Sequence, residues 1–372
     1  MYAEEPKEYG TYAWDRFRSA LGPLSLGTHV ITVRKFLQYL GPTGTARFVA
    51  NLYDRRSMKS QITLPDLHIS IPRRYALFVF KEFANLRDEG WQIFDEGSSL
   101  RFENGSTCET IAKNSFSTSF LYRLRLIHSG WWEQGGRITN GDVDFDIKDN
   151  LAVVYETFQL KFYDCYPSLT GRMVFDVGAN VGDTAIWFAK KGAHVEAFEP
   201  VPWLYDRALV NIRKNGVESR VNLHRLAVGP DSSRKKVLIE PEPHIIDAGA
   251  GDDPIRAELV EFDTVRLSDA VKGMDPFVLK MDCEGCEYGM ILGDYAGVRA
   301  FSNLVMEWHE YITRIPVSRL LARVLPDFEV KLVYGQGQCT DPNPNRVWER
   351  RAGMIFASRR RDAHPSVNRA SS

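Results

Sequence analysis

The stretch 173–200, MVFDVGANVGDTAIWFAKKGAHVEAFEP, most constrains what this chain can fold into. A short apolar run reaches Asp176, a glycine-bearing turn follows, and a helix-like segment and a second apolar run lead to Glu199. This order of strand, tight turn, helix, strand and acid is typical of a nucleotide-binding βαβ unit. Gly178 and Gly182 leave room for a ligand beside the backbone, and the acid can accept hydrogen bonds from a ribose diol. The sequence therefore predicts a nucleotide site at the carboxyl ends of parallel strands.

The spacing of this turn separates two classes of nucleotide. A dinucleotide fold has three glycines in the pattern G-x-G-x-x-G, whereas this turn carries Asn180 at its centre and an acid at its front. An acid repels a pyrophosphate and suits a cationic amine or sulfonium, which favours S-adenosylmethionine as the cofactor. An ordinary turn of another doubly wound protein is the alternative. The predicted cofactor-binding residues are Asp176, Gly178, Asn180, Gly182, Glu199, Leu226, Ala227 and Asp282.

Two further apolar runs also end in charged residues, FVLKMDCEGCE at 277–287 and LVMEWHE at 304–310. Ligands of open α/β sheets bind beyond the carboxyl ends of the strands, so both exits are expected to face the same crevice as the glycine turn. Methyl transfer to an alcohol benefits from a base that takes the hydroxyl proton. His309 is the first candidate for this base, with Asp282 and Glu284 as alternatives. A structural histidine and a solvated acidic turn are the competing interpretations.

The segments DVGANVGDT, FEP, LKMDCEGCE and VMEWHE, in this order, resemble the FkbM-type methyltransferases over residues 150–358. The resemblance implies an S-adenosylmethionine-dependent enzyme that methylates a hydroxyl of a sugar, glycolipid or polyketide-like metabolite. N-methylation of an amine, or a non-catalytic protein that binds the cofactor or a partner, are the alternatives. A nicotinamide dehydrogenase is disfavoured because the third glycine is missing. The chain departs from the family pattern at Cys283 and Cys286, where small or aliphatic residues are usual.

These two cysteines raise the question of a metal. Structural zinc takes four ligands, and the other three cysteines lie far apart in sequence, so we predict no thiolate-bound metal and reduced thiols throughout. Oxygen ligands and one imidazole nitrogen are nevertheless available at the strand exits for a divalent cation. This is the less favoured interpretation of Asp282, Glu284, Glu307 and His309.

From residue 150 onwards, strands and helices alternate, which predicts an α/β protein with a class I Rossmann-like fold. We expect a doubly wound, mostly parallel sheet of about seven strands whose last pair is an antiparallel hairpin at the edge. Residues 1–149 are expected to form an α+β N-terminal accessory region for acceptor or oligomer contacts, and residues 359–372 a disordered tail. Within this plan, a strand is predicted over 62–71, a helix over 151–163 and either a lid or a surface loop over 241–258. Glu156 and Tyr163 are predicted to close one wall of the site.

Bulk composition disfavours several classes of protein. A formal net charge of −1 over 372 residues gives no electrostatic footprint for nucleic acid. No run of about 18 apolar residues occurs, so a transmembrane helix is not expected. The N-terminal sequence lacks the basic start and apolar core of a signal peptide, which predicts a cytoplasmic location. The expected partner is a small-molecule or glycan acceptor, and the sequence does not determine the oligomeric state.

Overall fold

The computed structural model describes residues 37–41, 43–46, 61–64, 67–72, 76–113, 116, 118–166, 168–239, 258–334, 338–340 and 352–360. Residues 241–257 of the expected lid or surface loop and residues 361–372 of the expected tail lie outside these ranges. The chain divides into two compact units, Met1–Phe162 with Val237–Val260 and Tyr163–Lys236 with Glu261–Ser372. Among the described helices, none combines the length and apolar character needed to cross a lipid bilayer.

The described part of the first unit includes two long helices, three small antiparallel sheets and a short helical segment near its end. The helices are Ala76–Asp88 and Thr118–His128. The sheets comprise β1 (Gln61–Leu64) and β2 (Ile69–Pro72); β3 (Gln92–Asp95), β4 (Ser99–Asn104) and β5 (Thr107–Ala112); and β6 (Trp132–Gln134), β7 (Arg137–Thr139) and β8 (Asp144–Asp146). Aromatic residues dominate one core of this unit, where Phe83 stacks on both Phe102 and Phe116.

Two of the predicted elements in this unit differ in the structure. The single strand predicted over 62–71 is wrong, because β1 and β2 pair antiparallel as a hairpin. His68 lies at its turn with a φ of 45°, a left-handed conformation that reverses the chain. The helix predicted over 151–163 is shorter. It begins as an α-helix at Leu151–Val154, capped by the Asn150 side chain, and continues as a π-helix over Tyr155–Gln159.

The second unit is built on one eight-stranded sheet. Its strands, in chain order, are β9 (Met173–Val177), β10 (His194–Phe198), β11 (Val221–His224), β15 (Pro276–Met281), β16 (Asn303–His309), β17 (Phe328–Tyr334), β18 (Gln338–Thr340) and β19 (Ala352–Arg359). The order across the sheet is β11-β10-β9-β15-β16-β19-β17-β18. A separate small sheet contains β12 (Ala227–Gly229), β13 (Arg234–Ile239) and β14 (Glu258–Arg266) in the order β12-β14-β13. The helices are Asp183–Lys190, Pro202–Lys214, Leu267–Ala270, Cys286–Gly293, Tyr295–Val298, Glu310–Thr313 and Val317–Val324.

The order of the sheet confirms the predicted doubly wound class. The five neighbouring strands β11, β10, β9, β15 and β16 run parallel. In contrast, β19 is antiparallel to both β16 and β17. The last two long strands are therefore an antiparallel pair, as predicted, but they do not form a hairpin at the edge. β19 is inserted between β16 and β17, and the short strand β18 forms the edge.

The path of the chain through the sheet locates a ligand crevice. After β9 the chain continues to β10 on one side, and it later returns to β15 on the other side of β9. The carboxyl ends on the two sides of such a switch point lie next to a crevice that binds ligands in open α/β sheets. Val177, the last residue of β9, is in register with both Phe198 and Met281. The polar residues that follow these three strands are therefore brought together.

Candidate functional site

The glycine turn, residues Gly178–Gly182, follows β9 and requires glycine at two positions. Gly178 has a φ of 82°, and a Cβ atom there would lie 1.9 Å from the carbonyl oxygen of Asp282. Gly182 precedes the helix Asp183–Lys190 with a φ of 85°. Asn180 also has positive φ, at 48°, a conformation that asparagine tolerates better than most residues. The backbone of the turn is consequently packed against Asp282, the residue that follows β15.

Glu199 holds this turn to the end of β10. Its Oε2 accepts a hydrogen bond from the backbone N–H of Asn180 at 2.9 Å, and its Oε1 accepts one from the N–H of Val201 at 2.9 Å. The side chain is buried. These contacts fix the carboxylate beside the turn. The structure therefore places Glu199 at the glycine turn, where the sequence predicts the ribose contact.

Asp176 has partners different from those that the sequence predicts. The sequence assigns it to the turn backbone or to the cofactor ammonium. In the structure its carboxylate is fully buried, accepts a hydrogen bond from Thr184 Oγ1 at 2.6 Å and lies 2.9 Å from Lys280 Nζ. A buried carboxylate is stable only when it is paired and hydrogen-bonded. Asp176 thus links β9 to the following helix through Thr184 and to the neighbouring strand through Lys280.

Lys280, on β15, is the cation that completes this arrangement. Its Nζ also donates to the carbonyl oxygen of Gly178 at 2.7 Å and lies 5.8 Å from the centre of the Tyr163 ring. Burial acts to lower the pKa of Lys280, but the charges of Asp176 and neighbouring carboxylates outweigh it and raise that pKa. Lys280 is therefore charged, and it links β15 to the glycine turn.

The remaining predicted cofactor residues lie at neighbouring strand ends. Asp282 directly follows β15, and its Oδ2 accepts a hydrogen bond from the Tyr163 hydroxyl at 3.2 Å. Leu226 precedes β12 and packs partly buried against the main core, and Ala227 is the first residue of β12. Glu156 belongs to the other compact unit. The structure thus brings Tyr163 and Asp282 together.

His309, the last residue of β16, lies among three carboxylates from two segments, the turn after β15 and β16 itself. Its Nε2 is 3.7 Å from Asp282 Oδ1, 3.9 Å from Glu284 Oε2 and 3.9 Å from Glu307 Oε2. We call these four residues the acidic cluster. The imidazole is only 3% exposed, whereas the Glu284 side chain is 57% exposed. All three predicted catalytic residues, His309, Asp282 and Glu284, are therefore neighbours in the fold.

Glu287 orients His309 from behind the cluster. This fully buried carboxylate lies 3.0 Å from His309 Nδ1 through Oε1 and accepts the His309 backbone N–H at 2.9 Å through the same oxygen. Its other oxygen accepts the N–H of Gly285 at 3.0 Å. These contacts fix the ring and direct Nε2 towards the acidic cluster.

The electrostatics of the cluster bear directly on its chemistry. Burial acts to lower the pKa of His309, but the hydrogen bond to Glu287 and the charges of Glu284 and Asp282 outweigh it and raise that pKa to about 10. Burial and the charge of Asp282 raise the pKa of Glu307 to about 8. At neutral pH His309 is therefore protonated, and it can accept a proton only when another positive charge enters the cluster.

The turn between Asp282 and Glu287 contains a disulfide between Cys283 and Cys286. The prediction that all cysteines are reduced thiols is wrong for this pair, while Cys108 and Cys165 are free. The turn brings the two Cα atoms to 5.5 Å, within the usual range for disulfides. The covalent link spans the segment that supplies Glu284 to the acidic cluster.

Sequence reasoning missed the supporting roles of Lys280 and Glu287. One signal for Lys280 was available, since a lysine inside the apolar run FVLKM must find a buried partner. No comparable signal exists for Glu287, because it lies at the start of a helix where acids are ordinary. Glu307 was identified only as a flanking acid and a metal ligand candidate, and its shifted pKa depends on the folded neighbourhood.

Residues 176–329 match the profile of the methyltransferase FkbM domain family. Among curated proteins, the hexuronic acid methyltransferase AglP of Haloferax volcanii is 26% identical over 162 residues, which are 42% of this chain and 64% of that protein. The chain thus spans less than two thirds of that relative's length.

Solved structures of methyltransferases also align with this chain. A putative rRNA methylase from Clostridium thermocellum aligns with 54% of this chain and 93% of its own, at 9% identity and a TM-score of 0.34. M. capricolum TrmK, in complex with S-adenosylhomocysteine, aligns with 56% of this chain and 72% of its own, at 10% identity and a TM-score of 0.32.

The family match contains the glycine turn, Glu199 and the whole acidic cluster, and the fold class follows from the strand order described above. The resemblance predicted from the motifs is thereby confirmed: residues 176–329 of this chain match the model of the methyltransferase FkbM domain.

Proposed function

We propose that this chain transfers the methyl group of S-adenosylmethionine to a hydroxyl of a sugar. The observation that carries this proposal is the convergence, at one edge of the sheet, of the glycine turn, the Glu199 carboxylate that contacts it and the acidic cluster. The family match at residues 176–329 supports methyl transfer. The similarity to a hexuronic acid methyltransferase supports a sugar as the acceptor class.

Each part of the cofactor has a proposed partner in the second unit. Glu199 accepts hydrogen bonds from the ribose hydroxyls. Gly178 and Gly182 let the cofactor approach the backbone, and Asn180 binds the methionine carboxylate. Asp282, held by Tyr163, binds the positively charged ammonium. The adenine lies against Leu226 and Ala227, and Asp176 supports the turn from beneath.

The transfer is an in-line displacement. The acceptor oxygen forms a bond to the methyl carbon while the carbon–sulfur bond breaks, and the sulfur keeps the electron pair, which yields S-adenosylhomocysteine. Alignment of the three atoms contributes up to about 7–11 kcal/mol. The hydroxyl proton passes to the acidic cluster, which contributes a further factor of about 10²–10⁴. The positive cofactor lowers the proton affinity of His309 and allows it to act as the base.

The charge of the cluster favours a hydroxyl acceptor over a carboxylate. A sugar carboxylate is already ionised at neutral pH, needs no base and is repelled by the neighbouring acids. A hydroxyl is neutral and must lose a proton as the new bond forms. We therefore expect a methyl ether as the product.

The test is methyl transfer by the purified full-length chain. Calorimetry first measures binding of S-adenosylmethionine and S-adenosylhomocysteine. Labelled methyl donor is then incubated with neutral sugars, uronic acids and amines, and labelled products are treated with mild base, which releases methanol from esters but not from ethers. A base-stable labelled sugar supports the proposal. A labelled amine would identify an N-methyltransferase, and cofactor binding without label in any acceptor, cell extract included, would favour the non-catalytic alternative.

A further inference from the structure

The acidic cluster combines the ligand types of a metal site. One oxygen each of Asp282 and Glu307 and one ring nitrogen of His309 lie within 4.8 Å of one another. The three residues come from the exits of two adjacent parallel strands, β15 and β16, so the sheet itself sets their separation. Carboxylate oxygens and an imidazole nitrogen are common ligands of divalent cations.

The distances within this group fit ligands of one ion better than direct hydrogen bonds. His309 Nε2 lies 3.7 Å from Asp282 Oδ1 and 3.9 Å from Glu307 Oε2, which is longer than a hydrogen bond between nitrogen and oxygen. With metal–ligand bonds of about 2.1 Å, adjacent ligands of an octahedral ion are about 3.0 Å apart and opposite ligands about 4.2 Å apart. Both separations from His309 Nε2 fall between these limits.

The support behind His309 is a second, independent feature of metal sites. A metal-binding histidine usually pairs its other ring nitrogen with a carboxylate, which fixes the tautomer and the ring orientation. Glu287 has this position at 3.0 Å from His309 Nδ1, and the N–H of Gly285 holds its second oxygen. The ligand nitrogen is therefore directed towards Asp282 and Glu307 before any ligand arrives.

The local charge also favours a cation. Four carboxylates, including the buried Glu287, lie around one imidazole. Like charges this close repel one another strongly where solvent screening is weak. A divalent cation would offset this repulsion.

We infer that Asp282, Glu307 and His309 bind one divalent cation of the Mg²⁺ or Mn²⁺ type, with coordination positions left for oxygens of the acceptor. The role of the cation at the acceptor rests on the proposed function, whereas the binding site itself does not. A sugar with neighbouring hydroxyls would offer two oxygens to the ion and present one of them to the methyl group. The more exposed Glu284 then remains outside the ligand set, and it takes the acceptor proton in place of His309, whose Nε2 the cation occupies.

The experiment uses Mn²⁺ as the probe on the full-length chain after removal of metal with EDTA. Electron paramagnetic resonance titration measures bound Mn²⁺, and spin-echo spectroscopy detects nitrogen coupling from a coordinated imidazole. We expect one saturable site with nitrogen coupling, competition by Mg²⁺, and a loss of affinity of tenfold or more in Asp282→Asn and Glu307→Gln. In His309→Gln the nitrogen coupling disappears. Glu196→Gln is the matched control, since it removes a carboxylate that pairs with His224 on the same sheet at 2.6 Å, and it should bind Mn²⁺ like the wild type.

Three results would overturn the inference: no saturable Mn²⁺ binding by the wild type, bound Mn²⁺ without nitrogen coupling, or unchanged affinity in both carboxylate variants. Circular dichroism verifies that each variant is folded, and the wild-type nitrogen signal decides the question should a variant fail to fold. Binding of S-adenosylhomocysteine is measured separately in EDTA. Cofactor binding without Mn²⁺ binding would refute the cation site alone, while Mn²⁺ binding without cofactor binding would refute the proposed function and leave the cation site standing.

Discussion

The glycine turn and the acidic cluster lie beyond neighbouring strands of the same sheet, and both are rich in carboxylates. At the glycine turn, Asp176 is paired with Lys280, and both oxygens of Glu199 accept backbone hydrogen bonds. At the acidic cluster, one imidazole faces carboxylate oxygens at 3.7–3.9 Å. The first arrangement balances its charge and fixes the backbone. The second keeps excess negative charge at one place, where it can act on a proton or a cation. The difference separates residues that shape the site from residues that carry out its chemistry.

The largest expected effect comes from removing the imidazole of the acidic cluster. His309→Gln should lower the rate of methyl transfer by about 10²–10⁴-fold, because the variant loses the group proposed to take the acceptor proton. Binding of S-adenosylhomocysteine should stay at the wild-type level, since the glycine turn is unchanged. Labelled methyl transfer and calorimetry measure the two quantities. The control is His194→Gln, which replaces an exposed histidine at the start of β10 and should keep the wild-type rate. Full activity in His309→Gln would contradict the proposed role of the imidazole in proton transfer.

The next effect tests whether the glycine turn depends on its buried ion pair. Lys280→Met leaves the Asp176 carboxylate buried beside no cation, and breaking a buried pair in this way typically costs about 3–5 kcal/mol. Urea unfolding measures the loss of free energy of unfolding. Lys236→Met is the matched control, because it breaks an exposed pair with Glu261, and pairs of that kind contribute about 0–1 kcal/mol.

A double variant sharpens the same test. In Asp176→Leu with Lys280→Met both charges are gone, so no uncompensated charge remains buried. We expect the double variant to lose less free energy of unfolding than the sum of the two single variants. Strictly additive losses would show that the two residues do not act as a pair.

A smaller effect is expected for Glu199, whose carboxylate contacts the glycine turn and is proposed to bind the ribose. Glu199→Gln keeps one acceptor oxygen but loses the negative charge and brings an amide group up to a backbone donor. Binding of S-adenosylhomocysteine should weaken by about 1.5–3 kcal/mol, the usual range for a hydrogen bond to a charged group. Calorimetry measures the affinity, with Glu196→Gln on the preceding strand β10 as the control. Equal affinity in wild type and Glu199→Gln would exclude a ribose contact.

The two regions also differ in how far the sequence predicts them. Gly178, Gly182 and Glu199 were placed correctly relative to the strands because turn geometry and strand periodicity are local properties. The grouping of His309 with Asp282 followed from one general rule, that parallel strands end at the same edge. These features needed no knowledge of side-chain packing.

The features that the sequence does not predict depend on contacts between distant segments. The pairing of Asp176 with Lys280 joins two strands about a hundred residues apart, and their register is set only in the folded sheet. The insertion of β19 between β16 and β17 is likewise a matter of strand order, which periodicity does not encode. The proton affinities of His309 and Glu307 depend on burial and on several neighbours at once, so the chemical character of the cluster appears only in the structure.

The last effect, the smallest when counted per unit of pH, is the dependence of stability on pH that the acidic cluster produces. In the folded chain the pKa of His309 is raised from 6.5 to about 10, so between these values the folded state keeps a proton that the unfolded chain releases. The free energy of unfolding should therefore fall as the pH rises through this window, by at most about 1.4 kcal/mol per pH unit for this one proton. Urea unfolding at several pH values measures the slope, which should be shallower in His309→Gln and unchanged in His194→Gln. Saturating Mn²⁺ should also flatten the slope, because a cation on His309 Nε2 replaces the proton whose release the slope reports. An equal slope in the wild type and in His309→Gln would show that the imidazole does not hold that proton.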